Sequence, residues 1–348
     1  MKRSTPKRDF VAVDLFSGCG GLSLGLENAG FRIQAAVEID PIAAAVYRKN
    51  HPRVSVIEKD IRTVEAKDLR KAAGIGNRKL DLLAGCPPCQ GFSRIKTKNK
   101  RISRDPRNSL VLHYLRIAKE LRPRMILLEN VPGLAKDHRF KRLLRELESI
   151  GYKTAWDILN AADFGVPQRR KRLIMMASLI DEIQVPEGTG IEKTVRQTIK
   201  RLKPPRLTKD FMQKMYLKST PRIKELIAKI PQNGGSRVAL GKKAQLKCHK
   251  KTEGFKDVYG RMKWDNVAPT LTGGCYNPSR GRFLHPTQNR PITLREAALL
   301  QTFPRDYNFK PASGLIRIAG LIGDALPPLF GEAQAKHLIE HLKSATGR

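Results

Sequence analysis

Gly85-Cys-Pro-Pro-Cys-Gln-Gly-Phe-Ser93 holds the most reactive side chains of this 348-residue chain, two thiols three positions apart. A cysteine attacks as its thiolate, and cationic neighbours favour that form. Residues 94–107 place Arg94, Lys96, Arg101 and further basic side chains against a single acid, Asp105. Such a stretch favours the thiolate and also suits phosphates. A thioredoxin-like redox pair normally opens a helix, whereas Gly91 and the polar run after it read as a long loop. A structural zinc site would need a second pair, and Cys19, Cys248 and Cys275 do not form one.

A second constellation is Asp14-Leu-Phe-Ser-Gly-Cys-Gly-Gly-Leu22. Gly18, Gly20 and Gly21 permit a tight turn and close approach of a ligand to the backbone. Ser23 leaves the dinucleotide G-x-G-x-x-G pattern incomplete. Glu38 stands 20 residues past Gly18, at the expected end of a second strand, where a carboxylate accepts ribose hydroxyls. Asp60 is expected to end the third strand, within reach of an exocyclic adenine amine. These residues imply a nucleotide or adenosyl ligand without separating NAD from S-adenosylmethionine.

The elements that carry these groups alternate. Strands are expected at Val11–Phe16, Gln34–Ile39, Val54–Ile57, Leu80–Ala84, Met125–Glu129, Lys153–Leu159 and Leu173–Ala177. Helices are expected after the glycine turn, after Asp40-Pro41, and over Ser109–Leu121, Phe140–Ser149 and Phe330–Leu342. The pattern predicts an α/β fold with an open, Rossmann-like sheet and ligands at the strands' carboxyl ends. Alternation stops after about Ser178, and residues 200–263 hold 19 Lys and Arg against four Asp and Glu. The expected division is a catalytic and cofactor-binding domain over 1–178, a smaller irregular target-recognition domain over 179–308, and a segment over 309–348 that returns to the first.

Charge narrows the partners. Sixty-seven Lys and Arg against 32 Asp and Glu leave a formal net charge of +35, which favours a polyanion through counterion release. No apolar run approaches membrane-spanning length, the basic start has no apolar signal stretch, and five cysteines form no disulfide framework. The expectation is an intracellular protein of the cytoplasm or nucleoid, without a membrane partner.

Six motifs, in order, resemble the DNA cytosine-5-methyltransferase family. They are Phe16-Ser-Gly-Cys-Gly-Gly21, Pro87-Pro-Cys-Gln90, Glu129-Asn-Val131, Gln168-Arg-Arg-Lys-Arg172, Thr293 to Pro304, and Gly323-Asp-Ala-Leu-Pro-Pro328. One departure is Asp324, where the family usually has Asn. The resemblance implies methylation of cytosine carbon 5 in a specific duplex DNA sequence, with S-adenosyl-L-methionine as cofactor. Cys89 would add to cytosine carbon 6, which splits one hard step into easier ones. Glu129 would donate to ring nitrogen 3 once protonated, a form that burial promotes. Arg172 would hold the carbonyl oxygen at position 2, with Arg170 in support.

The resemblance places the cofactor against Phe16, Gly18, Gly20, Gly21, Leu22, Glu38, Ile39, Asp60, Ile61, Pro88, Leu110, Asp324 and Ala325. The target base must leave the duplex stack to reach Cys89. Residues Gly91 to Arg107 would close over it, with Gln90, Ser93, Arg94, Lys96 and Arg101 contacting DNA. A monomer is expected, with a cognate restriction endonuclease in the same cell. Two alternatives stand beside this reading. A tRNA cytosine-5-methyltransferase typically carries Cys-Phe-Thr, which Lys247-Cys-His249 and Gly274-Cys-Tyr276 lack. A catalytically idle DNA-binding relative would tend to lose the nucleophile or the Glu-Asn-Val motif, and both are present.

Overall fold

In the computed structural model, which describes residues 10–88, 106–241 and 257–344, the apolar runs of the first half form one seven-stranded sheet. Its strands are β1 (Phe10–Leu15), β2 (Phe31–Val37), β3 (Ser55–Ile57), β4 (Leu82–Gly85), β5 (Met125–Asn130), β6 (Lys153–Asn160) and β7 (Lys171–Ser178). The order is β3-β2-β1-β4-β5-β7-β6. Pairs from β3 through β5 are parallel, while β7 runs antiparallel to β5. Central parallel strands are covered on both faces, so β4 and β5 are buried at every residue and read as continuous apolar runs.

Strand order reverses between β1 and β4, so the loops that leave their carboxyl ends flank the crevice where such sheets take ligands. Those loops begin at Phe16 and Cys86. Residue 85 has to be glycine for this. A Cβ there would lie 2.7 Å from the Leu15 carbonyl oxygen and 2.9 Å from the Tyr114 ring.

Helices α1 (Gly21–Ala29), α2 (Pro41–Asn50), α3 (Ala66–Ala72), α4 (Leu110–Leu121) and α5 (His138–Glu148) join the strands. Asp40 caps α2 by accepting from the amides of Ile42 (2.8 Å) and Ala43 (3.1 Å), with Pro41 at the first helical position. Along α4, Leu110, Val111, Tyr114, Leu115, Ile117, Ala118 and Leu121 are buried, each larger aliphatic contributing roughly 1.5–3 kcal/mol. The last helix, Pro328–Ser344, packs on α1, where the Asn28 amide donates to Glu332 (3.2 Å).

The end of β2 and the place of Asp60 are corrected. β2 starts at Phe31 and ends at Val37, one residue before Glu38, because the Asp40 amide turns back to the Glu38 carboxylate. β3 ends at Ile57, as expected, so Asp60 stands three residues beyond the strand, where its carbonyl opens a turn by accepting from the Thr63 amide.

By spatial grouping the chain forms two units: Met1–Leu159 with Lys171–Gly188 and Pro328–Arg348, and Asn160–Arg170 with Thr189–Pro327. The second has short helices, 3-10 turns and isolated bridges such as Arg261↔Leu284. With little ladder pairing, buried carbonyls need side-chain donors. Arg261, fully buried, supplies them to Ile227 (2.8 Å), Ile230 (3.1 Å), His285 (3.2 Å) and Gln288 (2.7 Å), and also to the Asn289 side chain (2.6 Å). Arg290 grips both oxygens of buried Glu296 at 2.8 and 2.7 Å.

Candidate active site

The loop after β1 turns through three residues of positive φ, Phe16 (60°), Gly18 (55°) and Gly20 (95°). The Gly20 amide is taken by the Ser17 carbonyl (2.9 Å), and Gly20, as the cap of α1, offers no side-chain acceptor to the helix start. A helix start carries partial positive charge and is suited to an electron-rich ligand. Glu38 braces the turn: one carboxylate oxygen accepts from the Gly18 amide and the other from the Asp40 amide, both at 2.8 Å. Burial pushes the Glu38 pKa above the ordinary range, against these hydrogen bonds.

Ile39 beside it leaves 60% of its surface exposed, an apolar face next to a carboxylate. Asp60 takes the Arg62 amide (2.9 Å) and Nε (3.1 Å) on Oδ1 alone. The neighbouring backbone is held by Arg116, which donates to the carbonyls of Ile61 (3.0 Å) and Val64 (2.8 Å). Ile61, Leu110 and Leu22 are buried, and Pro88 is half-buried.

Asp14 was not singled out from sequence as a polar centre of this region. It is fully buried; Ser23 donates to it at 2.6 Å, and the Tyr47 hydroxyl lies 2.7 Å from Ser23. Burial raises its pKa to about 7. The available signal was a carboxylate within Val11-Ala-Val-Asp-Leu15, a strand covered on both faces.

The carboxyl ends of β4 and β5 meet next. Gly85 pairs with Leu128, which brings Cys86 alongside Glu129. Glu129 is 8% exposed, and Arg172 of β7 donates to it through Nε at 2.7 Å. The Cys86 thiol hydrogen-bonds the same carboxylate; burial first, then Glu129, pushes the thiol pKa well up. Asn130 ties the two strand ends, donating to the Pro87 carbonyl at 2.8 Å while accepting from the Val131 amide.

Arg170 and Arg172 serve different units. Arg170, buried in the second, donates to the main-chain oxygens of Leu271 (2.7 Å), Gly323 (3.0 Å) and Ala325 (3.1 Å). Asp324 and Ala325 close helix Leu315–Asp324 there, and a Cβ on Gly323 would meet the Thr272 carbonyl carbon at 2.0 Å. Gln168, with no role foreseen, is fully buried, donating to Gln301 and accepting from the Leu271 amide, each at 2.7 Å. Cys89, Gln90, Ser93, Arg94, Lys96 and Arg101 lie outside the described residues. Among the described residues no cluster of His, Cys, Asp and Glu is suited to a metal, and no helix is long and apolar enough to cross a membrane.

A family model for C-5 cytosine-specific DNA methylases matches residues 10–340. The Type II methylase M.HgiDII of Herpetosiphon aurantiacus is 34% identical over 349 residues, covering 96% of each chain. The Type II methyltransferase M.XorII of Xanthomonas oryzae pv. oryzae is 35% identical over 371 residues, 96% of this chain and 85% of that one. The fold is similar to the crystal structure of a prophage-encoded methyltransferase from E. coli, with TM-score 0.74 at 24% identity, over 96% of this chain and 100% of the other.

Proposed function

Since this chain belongs to the C-5 cytosine-specific DNA methylase family and is a DNA cytosine-5-methyltransferase, we propose that it works through a covalent adduct on Cys89, with S-adenosyl-L-methionine as donor. The observation that carries this reading is the Glu129–Arg172 pair at the carboxyl end of β5, beside the loop Cys86-Pro87-Pro88 that leads into Cys89. A buried acid with a cation at a strand's carboxyl end suits a ring that gains negative charge as a nucleophile adds to it.

In this mechanism the Cys89 sulfur bonds to cytosine carbon 6. The electron pair of the carbon 5–carbon 6 double bond moves into the ring, and protonated Glu129 gives its proton to ring nitrogen 3. Arg172 holds the oxygen at position 2 and orients the Glu129 carboxylate. Carbon 5 thereby becomes nucleophilic. The target base is extruded from the duplex, with stacking energy recovered by protein contacts.

The residues present fit the cofactor. Gly18, with open space where a Cβ would stand, lets a ligand approach the backbone of the turn, Glu38 keeps acceptor capacity for ribose hydroxyls, Ile39 exposes an apolar face to an adenine, and Asp60 leaves Oδ2 for its amine. When bound, S-adenosylmethionine supplies an electrophilic methyl group. The basic region within 179–308 contacts phosphates and base edges of duplex DNA. The enzyme acts as an intracellular monomer, and a restriction endonuclease of the same specificity is its companion; for the companion the support is that its relatives are named Type II methyltransferases.

Tritiated methyl transfer to duplex DNA tests the reading. Wild type is expected to label DNA and form a denaturant-resistant adduct with 5-fluorocytosine duplex, and Cys89→Ala to do neither. Labelling of tRNA instead of DNA overturns the substrate; an adduct mapped to Cys86 overturns the nucleophile.

A further inference from the structure

The covalent scheme leaves one thiol at the site without a task. Cys86 follows β4 at the switch point, anchored by its own amide on the Leu15 carbonyl (3.3 Å). Parallel register sets it opposite Glu129, and Asn130 fixes the loop by its bond to the Pro87 carbonyl. Glycine at 85 leaves no room for the loop to shift toward β1 or the Tyr114 ring. The thiol therefore has a constrained position against the carboxylate.

We infer that Cys86 is a positioning residue for Glu129: its S–H donates to the carboxylate, so that two donors, Cys86 and Arg172 Nε, meet the charge that appears when Glu129 passes its proton to the cytosine ring. This rests on the covalent reading above. The donor count is the physical point. A carboxylate newly formed at 8% exposure has lost most of its water and needs protein donors in its place. Arg172 supplies one at 2.7 Å, and the same guanidinium is also assigned to the substrate oxygen. A second donor that carries no charge completes the shell without competing for the substrate.

The described titratable groups that act on Cys86 and its immediate surroundings are Asp14 of β1, Tyr114 of α4, Glu129 of β5 and Arg172 of β7. Burial and the two carboxylates, Glu129 and Asp14, hold the thiol protonated, as a donor must be. The same conditions make it a poor nucleophile, which separates its part from that of Cys89.

The test compares Cys86→Ala and Cys86→Ser with wild type in single-turnover methyl transfer as a function of pH. A hydrogen bond to a charged group, discounted for a weak S–H donor, predicts roughly a tenfold slower step in Cys86→Ala. The pH profile should move, while DNA and cofactor affinities stay within about twofold of wild type, since the part assigned to the thiol is its bond to Glu129. Cys86→Ser, which restores a donor, should recover most of the rate. Independently, the S–H stretching band of Cys86, assigned by difference against Cys86→Ala, should sit at lower frequency in wild type than in Glu129→Gln.

Coincident rates and pH profiles for Cys86→Ala and wild type overturn the inference. So do equal losses in the alanine and serine variants with weakened cofactor binding, which mark packing alone, and an S–H band indifferent to Glu129→Gln. Failure of wild type to form the 5-fluorocytosine adduct strikes the covalent reading instead, and the two failures are thus told apart.

Discussion

Asp14 makes the fold sensitive to pH in a way that can be worked out from its surroundings. Its folded pKa is about 7 against 3.8 for the free side chain, because burial disfavours the charged form more than the Ser23 hydrogen bond favours it. An acid with a raised folded pKa binds its proton more tightly in the native state. Its contribution is therefore fully present below about pH 4 and lost as pH rises toward 7. The span of the shift corresponds to about 4 kcal/mol at roughly 1.4 kcal/mol per unit.

Replacing Asp14 with Asn removes the titration. It keeps an acceptor for Ser23 but puts an amide where Oδ1 is buried without a hydrogen bond, a pH-independent cost of about 1–3 kcal/mol. Titrating groups remote from Asp14 are common to both proteins and cancel in the difference, and Glu38 and Glu27, which act on Asp14 through their charge, add smaller terms. Urea unfolding of wild type and Asp14→Asn across this window should show wild type losing about 4 kcal/mol relative to the variant between pH 4 and 7, then running parallel to it. Parallel curves throughout would refute the argument and place Asp14 in contact with water or an unrecognised cation.

Glu38→Gln keeps the shape of the cofactor loop but removes the anion that binds the Gly18 and Asp40 amides; S-adenosylmethionine affinity by calorimetry should fall on the order of tenfold to a hundredfold with the far-ultraviolet spectrum unchanged. Arg261→Met strips donors from four carbonyls of the second unit, three of them buried, and should cost about 3–5 kcal/mol in unfolding free energy, lowering sequence-specific DNA binding in a filter assay. DNA affinity measured against salt should drop steeply, with a log–log slope of about −4 or steeper if five or more phosphates are contacted; a flat profile would remove the basic region from the DNA interface.

Much of the architecture was legible locally. Strands β4, β5 and β7 are apolar runs because both their faces are covered, and α2 announces itself by Asp40-Pro41. Glu38 and Asp60 stand one and three residues past the strands they were expected to end, since a side chain that bonds its neighbouring backbone ends a ladder without changing hydrophobic pattern. Alternation implies a helix between β3 and β4, but the bounds of α3 do not show in the apolar pattern. This helix is seven residues long, and its signal is the reciprocal cap of Glu65 and Asp68 rather than an apolar stripe.

Residue types and their order sufficed to place the chain in its family and to suggest the chemistry proposed for it: a thiol in Pro87-Pro-Cys-Gln90, an acid in Glu129-Asn-Val131 and an arginine at 172 can be read without coordinates. Tertiary structure alone decided which of these meet. The antiparallel insertion of β7 beside β5 brings Arg172 to Glu129, the β4–β5 register brings Cys86 to the same carboxylate, and Arg170, two residues from Arg172, serves carbonyls of the other unit. Local patterns record whether a residue is buried, whereas strand order and register arise from pairings across long stretches of chain, which no short window of sequence contains.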